Sequence, residues 1–401
     1  MKSCGLIVEY NPYHNGHHYH FQQAKEITGA DCVIAVMSGN FLQRGEPALT
    51  DKFSRARIAV EQGIDLVVEL PYFYAVQHSE LFAKGAIQIL NSLQADAVCF
   101  GSEHGQIDEF KQLYQTIRHR QHDYQETVKV ALQEGLSYPK ANEIAFYQVS
   151  DQQVSLDFTK PNNMLGYQYV KNIYDLNSSI KPVTITRVQN NYHDIEINDS
   201  IASATSIRQA LLYNENSIDN AVPFFTNQVI AQYKNEHERW HHWQAYFPLL
   251  KYRVLTMTTA ELQAIHGIKE GIENRIVETA KLASTFQHWM ELLKTKRYTW
   301  TSLQRIFTHI LTNSQKSEIE SLLSDHHPKG FRILAMSKQG QEYLRYKKKS
   351  IDIPWFTSNK PPYPYHLMDE RIDHAYYSIL PVNSQQHLAK QPYSRPIIKD
   401  A

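Results

Sequence analysis

Cysteine is scarce: the chain has three in 401 residues, Cys4, Cys32 and Cys99. None has the spacing of a zinc-ligand set. All three fall on or beside apolar, strand-like runs, which reads as buried thiols in a reducing compartment. An excess of one charge is also missing. Lys plus Arg number 41 and Asp plus Glu number 41, so the formal net charge is zero. Any nucleic-acid partner must then be held by local basic patches, because there is no global field to attract it. No apolar run approaches the roughly 20 residues of a membrane span. The opening apolar run, Gly5 to Val8, is too short for a signal peptide. Internal repeats and low-complexity segments are absent too. These absences point to a soluble cytoplasmic protein with no membrane partner, long enough for two domains and an ample core.

The most informative stretch runs from Gly5 to His20. The apolar run Gly5–Val8 reads as a buried strand and Asn11-Pro12 as a turn. His14-Asn15-Gly16-His17 follows. From about His17 a helical period begins, with Phe21, Ala24 and Ile27 on one face. A strand, a tight turn and a helix start suit phosphate binding. The helix N-terminus should offer unpaired N–H groups and a partial positive charge. Gly16 allows close backbone approach to an anion. His14 and His17 can donate hydrogen bonds to charge that develops on a phosphate. Histidine is abundant, at 20 residues, so the tetrapeptide alone is equally compatible with a histidine-rich surface turn.

The first hundred residues alternate strand and helix. Asp31–Met37, Asp65–Pro71 and Asp96–Gly101 read as three further buried strands. A helix is expected over 51–62, capped by Thr50 and ended by Gly63, and another over 79–93. Near-continuous apolar strands separated by helices imply an α/β fold, a doubly wound parallel sheet covered on both faces. Ligands in such sheets bind beyond the carboxyl ends of the strands. His14, Ser38-Gly39-Asn40 and Gly101-Ser102 all sit at such ends and should converge. Residues 107 to about 176 read as helices interrupted at 135–139 and 160–163. Pro182–Val188 reads as one more strand. Ile201 to Arg208 then opens a helix that Ser203 can cap, with Arg208 on the side of its free N–H groups. An ordinary capped helix would look the same. From about 214 the alternation stops, and 218–325 reads as helical. We therefore divide the chain into 1–213, a nucleotide-binding unit, and 214–401, a mainly α-helical unit. Within the latter, Phe331–Ala335 reads as a short strand and the tail rich in proline and tyrosine as partly ordered.

The two motifs mean more together. An HxGH on the first helix and a Ser-x-Thr-x-x-Arg on a late one is the arrangement of nucleotidyltransferase-type enzymes. In these the first motif grips the α-phosphate side of ATP and the second the β/γ side. Here the second is Ser203-Ala204-Thr205-Ser206-Ile207-Arg208, with Ala204 where a second serine is common. That removes one hydroxyl donor but neither the helix start nor the arginine. His14, His17 and Arg208 are the expected catalytic residues. Ser203, Thr205 and Arg208 should hold the leaving pyrophosphate, with Mg²⁺ bridging it; no protein metal ligands are assigned.

A closer resemblance rests on six segments: 5–20; Gly39 to Ala48; Phe100-Gly101-Ser102-Glu103; Ser137-Tyr138-Pro139; Lys160-Pro161-Asn162-Asn163; and Lys296-Arg297-Tyr298-Thr299. Together they resemble the bacterial tRNA(Met) cytidine acetate ligase family, over most of the chain and most strongly before residue 210. The resemblance implies that ATP and acetate form acetyl-adenylate. The acetyl group is then transferred to N4 of the wobble cytidine of elongator tRNA(Met). It also implies ATP contacts from Ile7, Val8, Glu9, Tyr10, Asn11, Pro12, Tyr13, His14, Asn15, Gly16, His17, His18, Tyr19 and His20. Further ATP contacts are implied for Gly101, Asn162 and Arg187, and tRNA contacts for Lys296 and Arg297.

Several residues stay open between two readings. Arg44, Lys52 and Arg55 follow the second strand and face acetate, the tRNA backbone or solvent. Glu103 orients a base or a metal. Arg187 is an ATP ligand or a surface ion-pair partner. Lys294, Arg305 and the run Arg345–Lys349 are RNA contacts or solvated surface, and Tyr298 or Trp300 can stack on an unpaired base. Met336-Ser337-Lys338 looks like the signature loop of class I aminoacyl-tRNA synthetases but lacks its flanks, so it is read as chance. Two other functions compete. An adenylyltransferase for a small phosphorylated cofactor precursor would share both motifs, but the roughly 190 extra residues count against it. A non-catalytic RNA- or nucleotide-binding protein would not need His14, His17 and Arg208 intact.

Overall fold

A computed structural model describes residues 1–150, 156–187, 202–213, 217–269, 271–325 and 327–399. Val188 and Ile201, expected at a strand end and a helix approach, lie outside the described residues. Among the described residues the sheet has eight strands: β1 (Ser3–Val8), β2 (Cys32–Ser38), β3 (Leu66–Leu70), β4 (Ala97–Ser102), β5 (Lys181–Thr186), β6 (Phe331–Met336), β7 (Trp355–Phe356) and β8 (Ile397–Ile398). Every residue of β2 and β3 is buried, as expected for parallel strands covered on both faces.

The first five strands are parallel and ordered β5-β4-β1-β2-β3. The chain builds outward from β1 to β3, then returns to β4 on the other side of β1. The crevice between the carboxyl ends of β1 and β4 is therefore the switch point, where such folds bind ligands. The first helix, α1 (Asn15–Thr28), leaves β1 at that crevice and starts two residues earlier than its apolar period indicates. The next, α2 (Lys52–Glu61), is capped by Asp51, not Thr50; the Asp51 carboxylate accepts the N–H groups of Phe53 and Ser54.

Past residue 214 the chain is mainly helical. Trp243 stacks on Phe286 at 4.7 Å, and Phe307 packs against Trp289 at 4.7 Å. The chain then returns to the first sheet. Here β6 runs antiparallel to β3, while β7 and β8 pair with β6. The tail is ordered: helix His366–Tyr377 buries Tyr376 and Tyr377, because its tyrosines fill core positions. A buried charge cluster ties it down. Lys52 Nζ lies 2.9 Å from both Glu69 and Asp373, and Arg332 from β6 forks onto Glu69.

Candidate active site

The turn between β1 and α1 is built by two imidazoles. His14 takes an extended backbone and caps α1; its Nδ1 accepts the Gly16 N–H at 3.0 Å. Reciprocally, His17 Nδ1 accepts the His14 N–H at 3.2 Å. This is a capping box made of histidines instead of Ser and Glu. It fixes the tautomer, because a neutral ring that accepts at Nδ1 carries its proton on Nε2. The rings stack, with centroids 3.8 Å apart. Burial pushes the His14 pKa down to about 3, helped by the positive charges of Arg187 and Arg208. His17 is pushed well below its usual value, by burial first and then by His14 and Arg187. Both rings are thus neutral Nε2–H donors near pH 7.

The expectation of unpaired N–H groups at this helix start is not met. Asn15 N–H donates to Ala221 O, Gly16 N–H to His14 Nδ1, and the N–H groups of His17 and His18 both to His14 O. The imidazoles consume the donors that a phosphate would otherwise use. The donors left at this end of α1 are the ring Nε2–H groups. Tyr10 and Tyr13 are buried and edge-packed on each other and on His17, so they brace the turn from behind. Val8 and Asn11 are buried with them, as is Pro12, while Ile7, Tyr19 and His18 are half-buried. His20 keeps a buried Nε2 with no partner and a pKa lowered to about 4, by burial and then Arg187.

Three further elements reach the crevice. Ser203 caps the helix Ala204–Tyr213, its Oγ accepting the Ser206 N–H at 3.1 Å. From that helix Arg208 donates to Asn11 O at 2.9 Å, lies 3.5 Å from Thr205 Oγ1 and pairs with Glu46 at 3.5 Å. Arg187 follows β5 and donates to Asn162 Oδ1 at 3.2 Å. Gly101 at the end of β4 faces it, and a Cβ there would sit 3.0 Å from Arg187 Cγ. Glu103 accepts from Asn162 Nδ2 at 2.6 Å and from the Asn163 N–H at 2.9 Å, so it orients Asn162. His14, His17, Asn11, Gly101, Asn162, Arg187, Thr205 and Arg208 therefore converge on one crevice.

On the other side of β1, Glu9 accepts the Gln43 N–H at 2.7 Å and the Ser38 hydroxyl at 3.4 Å. Burial raises its pKa, and the Gln43 bond and Arg44 oppose that. Lys52 and Arg55 are not solvated. Lys52 lies in the charge cluster, and Arg55 is spent on the backbone carbonyls of Thr50, Glu9, Ser38 and Gly39. Arg55 fastens the ends of β1 and β2, Lys52 ties β3 to the helix His366–Tyr377, and both side chains are buried.

The chain matches the family described as HIGH Nucleotidyl Transferase over residues 1–391. It belongs to that family. Among its relatives is the tRNA(Met) cytidine acetate ligase of Oceanobacillus iheyensis, 50% identical over 99% of this chain and 100% of the relative. The Bacillus subtilis protein of the same name is 46% identical over 88% of this chain and 86% of its own. The crystal structure of Thermotoga maritima TmcAL bound with alpha-thio ATP superposes with a TM-score of 0.90 at 29% identity, over 99% of both chains.

In this HIGH nucleotidyl transferase the basic segments separate. Lys296 and Arg297 are exposed on the turn before helix Trp300–Leu311, while Tyr298 and Trp300 pack partly into the core. The run Arg345–Lys349 ends a helix whose Tyr343 hydroxyl donates to Leu93 O and touches Ser3 Oγ, at the amino ends of the strands. That edge is opposite the crevice. Ser337, from the synthetase-like tripeptide, lies at the same edge, where it donates to Asp65 and caps its own helix. Residue spacing carried no signal for Glu46 or Gln43, because each meets its partner only through tertiary folding.

Proposed function

We propose that this protein is an ATP-dependent ligase that activates acetate as acetyl-adenylate and acetylates N4 of the wobble cytidine of elongator tRNA(Met). What carries the reading is the neutral, stacked His14–His17 pair at the switch point, flanked by Arg187 and Arg208. Acetate oxygen bonds to the α-phosphorus and the bond to pyrophosphate breaks. Charge grows on the α-phosphate oxygens, where the two Nε2–H groups donate without carrying charge of their own beforehand. Fixed donors of this kind are worth roughly 3–4 kcal/mol of barrier each. Arg208, with Ser203 and Thr205 at its helix start, holds the pyrophosphate, and Arg187 with Asn162 and Gly101 the nucleoside side of ATP. In the second step the cytidine amine attacks the acetyl carbon and AMP leaves. That amine is a poor nucleophile, so water must be kept from the anhydride.

Among the described residues there is no group of three or more His, Cys, Asp or Glu able to hold a metal ion. A Mg²⁺ in our reading arrives with ATP and is held by phosphate oxygens and water. The division near residue 213 is one of function: nucleotide chemistry before it, RNA contact after it, with Lys296 and Arg297 taking phosphates. The described residues contain no helix long and apolar enough to cross a membrane, and we place the enzyme in the cytoplasm.

The test is ATP consumption by purified protein with acetate and bulk bacterial tRNA, followed by nucleoside mass analysis. N4-acetylcytidine that requires both ATP and acetate is the expected result. ATP turnover with no modified nucleoside would replace the acceptor by a small molecule. No turnover at all would leave a nucleotide- or RNA-binding protein.

A further inference from the structure

One half-buried cation has no counter-charge among the described residues. Arg305, on the helix Trp300–Leu311, makes a single hydrogen bond, from Nη1 to Gln43 O at 3.3 Å, and no ion pair among the described residues. Burial lowers its pKa to about 10, and no carboxylate opposes that. A partly desolvated guanidinium gains most from an anionic partner, and this one has a single carbonyl, so it is open to a partner that binding would supply.

Lys269, close by, shares its sign. His78 feels Arg305 and Lys269 as repelling charges, with Glu80 the one acid opposing them. His266 lies beside His78 and touches Gln77 Nε2 at 3.0 Å through its own Nε2. The Nδ1 atoms of His78 and His266 are buried and have no partner. Glu80 is already engaged, 3.5 Å from Lys171. Arg305 and Lys269 thus bring positive charge to a cluster in which His78 and His266 are neutral rings, each with a Nδ1 that has no partner.

The cluster adjoins Glu9 at the end of β1. The residue that receives Arg305, Gln43, gives its N–H to Glu9 and its side-chain amide to Gln77 O. The helix bearing Arg305 begins just after exposed Lys296 and Arg297, and Arg305 stands about 7–8 Å along it from Trp300.

We propose that Arg305, Lys269, His78 and His266 form the seat for a backbone phosphate of the RNA substrate beside the nucleotide being modified. The inference rests on the function proposed above. An RNA phosphate suits the cluster better than the acetate carboxylate. A half-buried and an exposed cation line it, where a two-carbon acid needs only a small closed pocket. A phosphate there would also fasten Gln43, and through it Glu9, at the end of β1.

The test is filter binding of an elongator tRNA(Met) transcript to full-length wild type, Arg305→Gln and Lys269→Ala at several salt concentrations. Arg305→Gln is expected to raise Kd roughly tenfold and to reduce the salt slope by about one. Lys269→Ala, at an exposed position, is expected to change both in the same direction by less. An unchanged Kd and slope in both variants would overturn the proposal. So would a raised KM for acetate with intact RNA binding, which would make the cluster a carboxylate site. If Arg305→Gln fails to fold by thermal melting, Lys269→Ala decides alone. Failure of the wild type to bind the transcript would overturn the proposed partner, and this seat with it.

Discussion

His14 and His17 hold each other's positions: each ring accepts, at Nδ1, a backbone N–H of the same turn, and the rings stack at 3.8 Å. Cap and donor are therefore one group. Replacing either ring by alanine removes an Nε2–H donor and frees a backbone N–H at the start of α1. We expect His14→Ala and His17→Ala to slow adenylate formation by about 10²–10³-fold. His14→Asn should retain the cap and much of the stability yet lose the rate. Pyrophosphate release at saturating ATP, read beside a thermal melt, separates the two effects. Rates within a few-fold of wild type would remove both histidines from the chemistry.

Arg208 serves three partners at once: Asn11 O, Thr205 Oγ1 and Glu46. A lysine keeps the charge but cannot fork between them. Arg208→Lys should lower the rate of pyrophosphate release by about 10–100-fold, the worth of one charged hydrogen bond. Equal rates for the two proteins would show that only the charge matters.

Lys52 joins the tail to the sheet. It meets Glu69 and Asp373 at 2.9 Å each, and Asp373 also accepts from Asn40 at 2.8 Å. Lys52→Met leaves buried carboxylates short of a cation. The expected loss is about 3–5 kcal/mol of unfolding free energy, measured by urea titration. Lys52→Met with Asp373→Leu should recover part of that loss, because the stranded charge goes too.

What the sequence made legible follows from the range of each interaction. The parallel strands, α1 and the cap at Ser203 rest on local periodicity and neighbouring residues, and each lies within about two residues of its expected bounds. That His14 and Gly101 share one crevice follows from the rule that strand carboxyl ends face it, while Arg208 comes from a helix and Ser38-Gly39-Asn40, expected there too, pack instead against Glu9, Arg55 and Asp373. The role of Lys52 was not legible, since Asp373 lies more than 300 residues away; the Asn40–Asp373 bond alone spans 333. A lysine after a loop looks the same whether it is solvated or buried. The occupied N–H groups of α1 were hidden for another reason: histidine is an uncommon cap, and the HxGH pattern suggests ligand contact before it suggests capping.

The buried histidines set an acid limit. His14 is lowered to about 3, and His20 and His266 to about 4, all through burial first. In the unfolded chain they bind protons near 6.5. Their stabilisation is present above that value and is lost as pH falls. Asp369 acts in the opposite sense: burial and Glu69 raise it to about 7, so its contribution is lost as pH rises toward that value. Between about pH 6 and 4.5 three groups favour proton uptake by the unfolded state and one by the folded state. Stability should then fall by about 2 kcal/mol per pH unit from these four. His17, His241 and His309 reinforce the slope, and Glu9 and Asp373 oppose it. Urea midpoints from pH 7 to 4.5 test this, and a flat profile would contradict it.

Gly45 joins the two halves of the chain. Its φ is +75°, and a Cβ would lie 2.3 Å from the backbone nitrogen of Arg305. Its carbonyl accepts from Trp243 Nε1 at 3.1 Å and from Thr308 Oγ1 at 3.0 Å. The neighbouring Gln43 holds Glu9. Neither side can yield cheaply, because the clash is backbone against side chain and the left-handed conformation itself costs about 1–2 kcal/mol for a residue with a Cβ. Gly45→Ala should therefore lower stability by about 1–3 kcal/mol. It should also shift the Gln43 N–H away from Glu9, so acetyl transfer to tRNA falls further than the melting temperature alone accounts for. Measuring transfer at a temperature where the variant is fully folded isolates that second effect. Wild-type transfer there would mean that the loop tolerates displacement and that Gln43 only closes the fold.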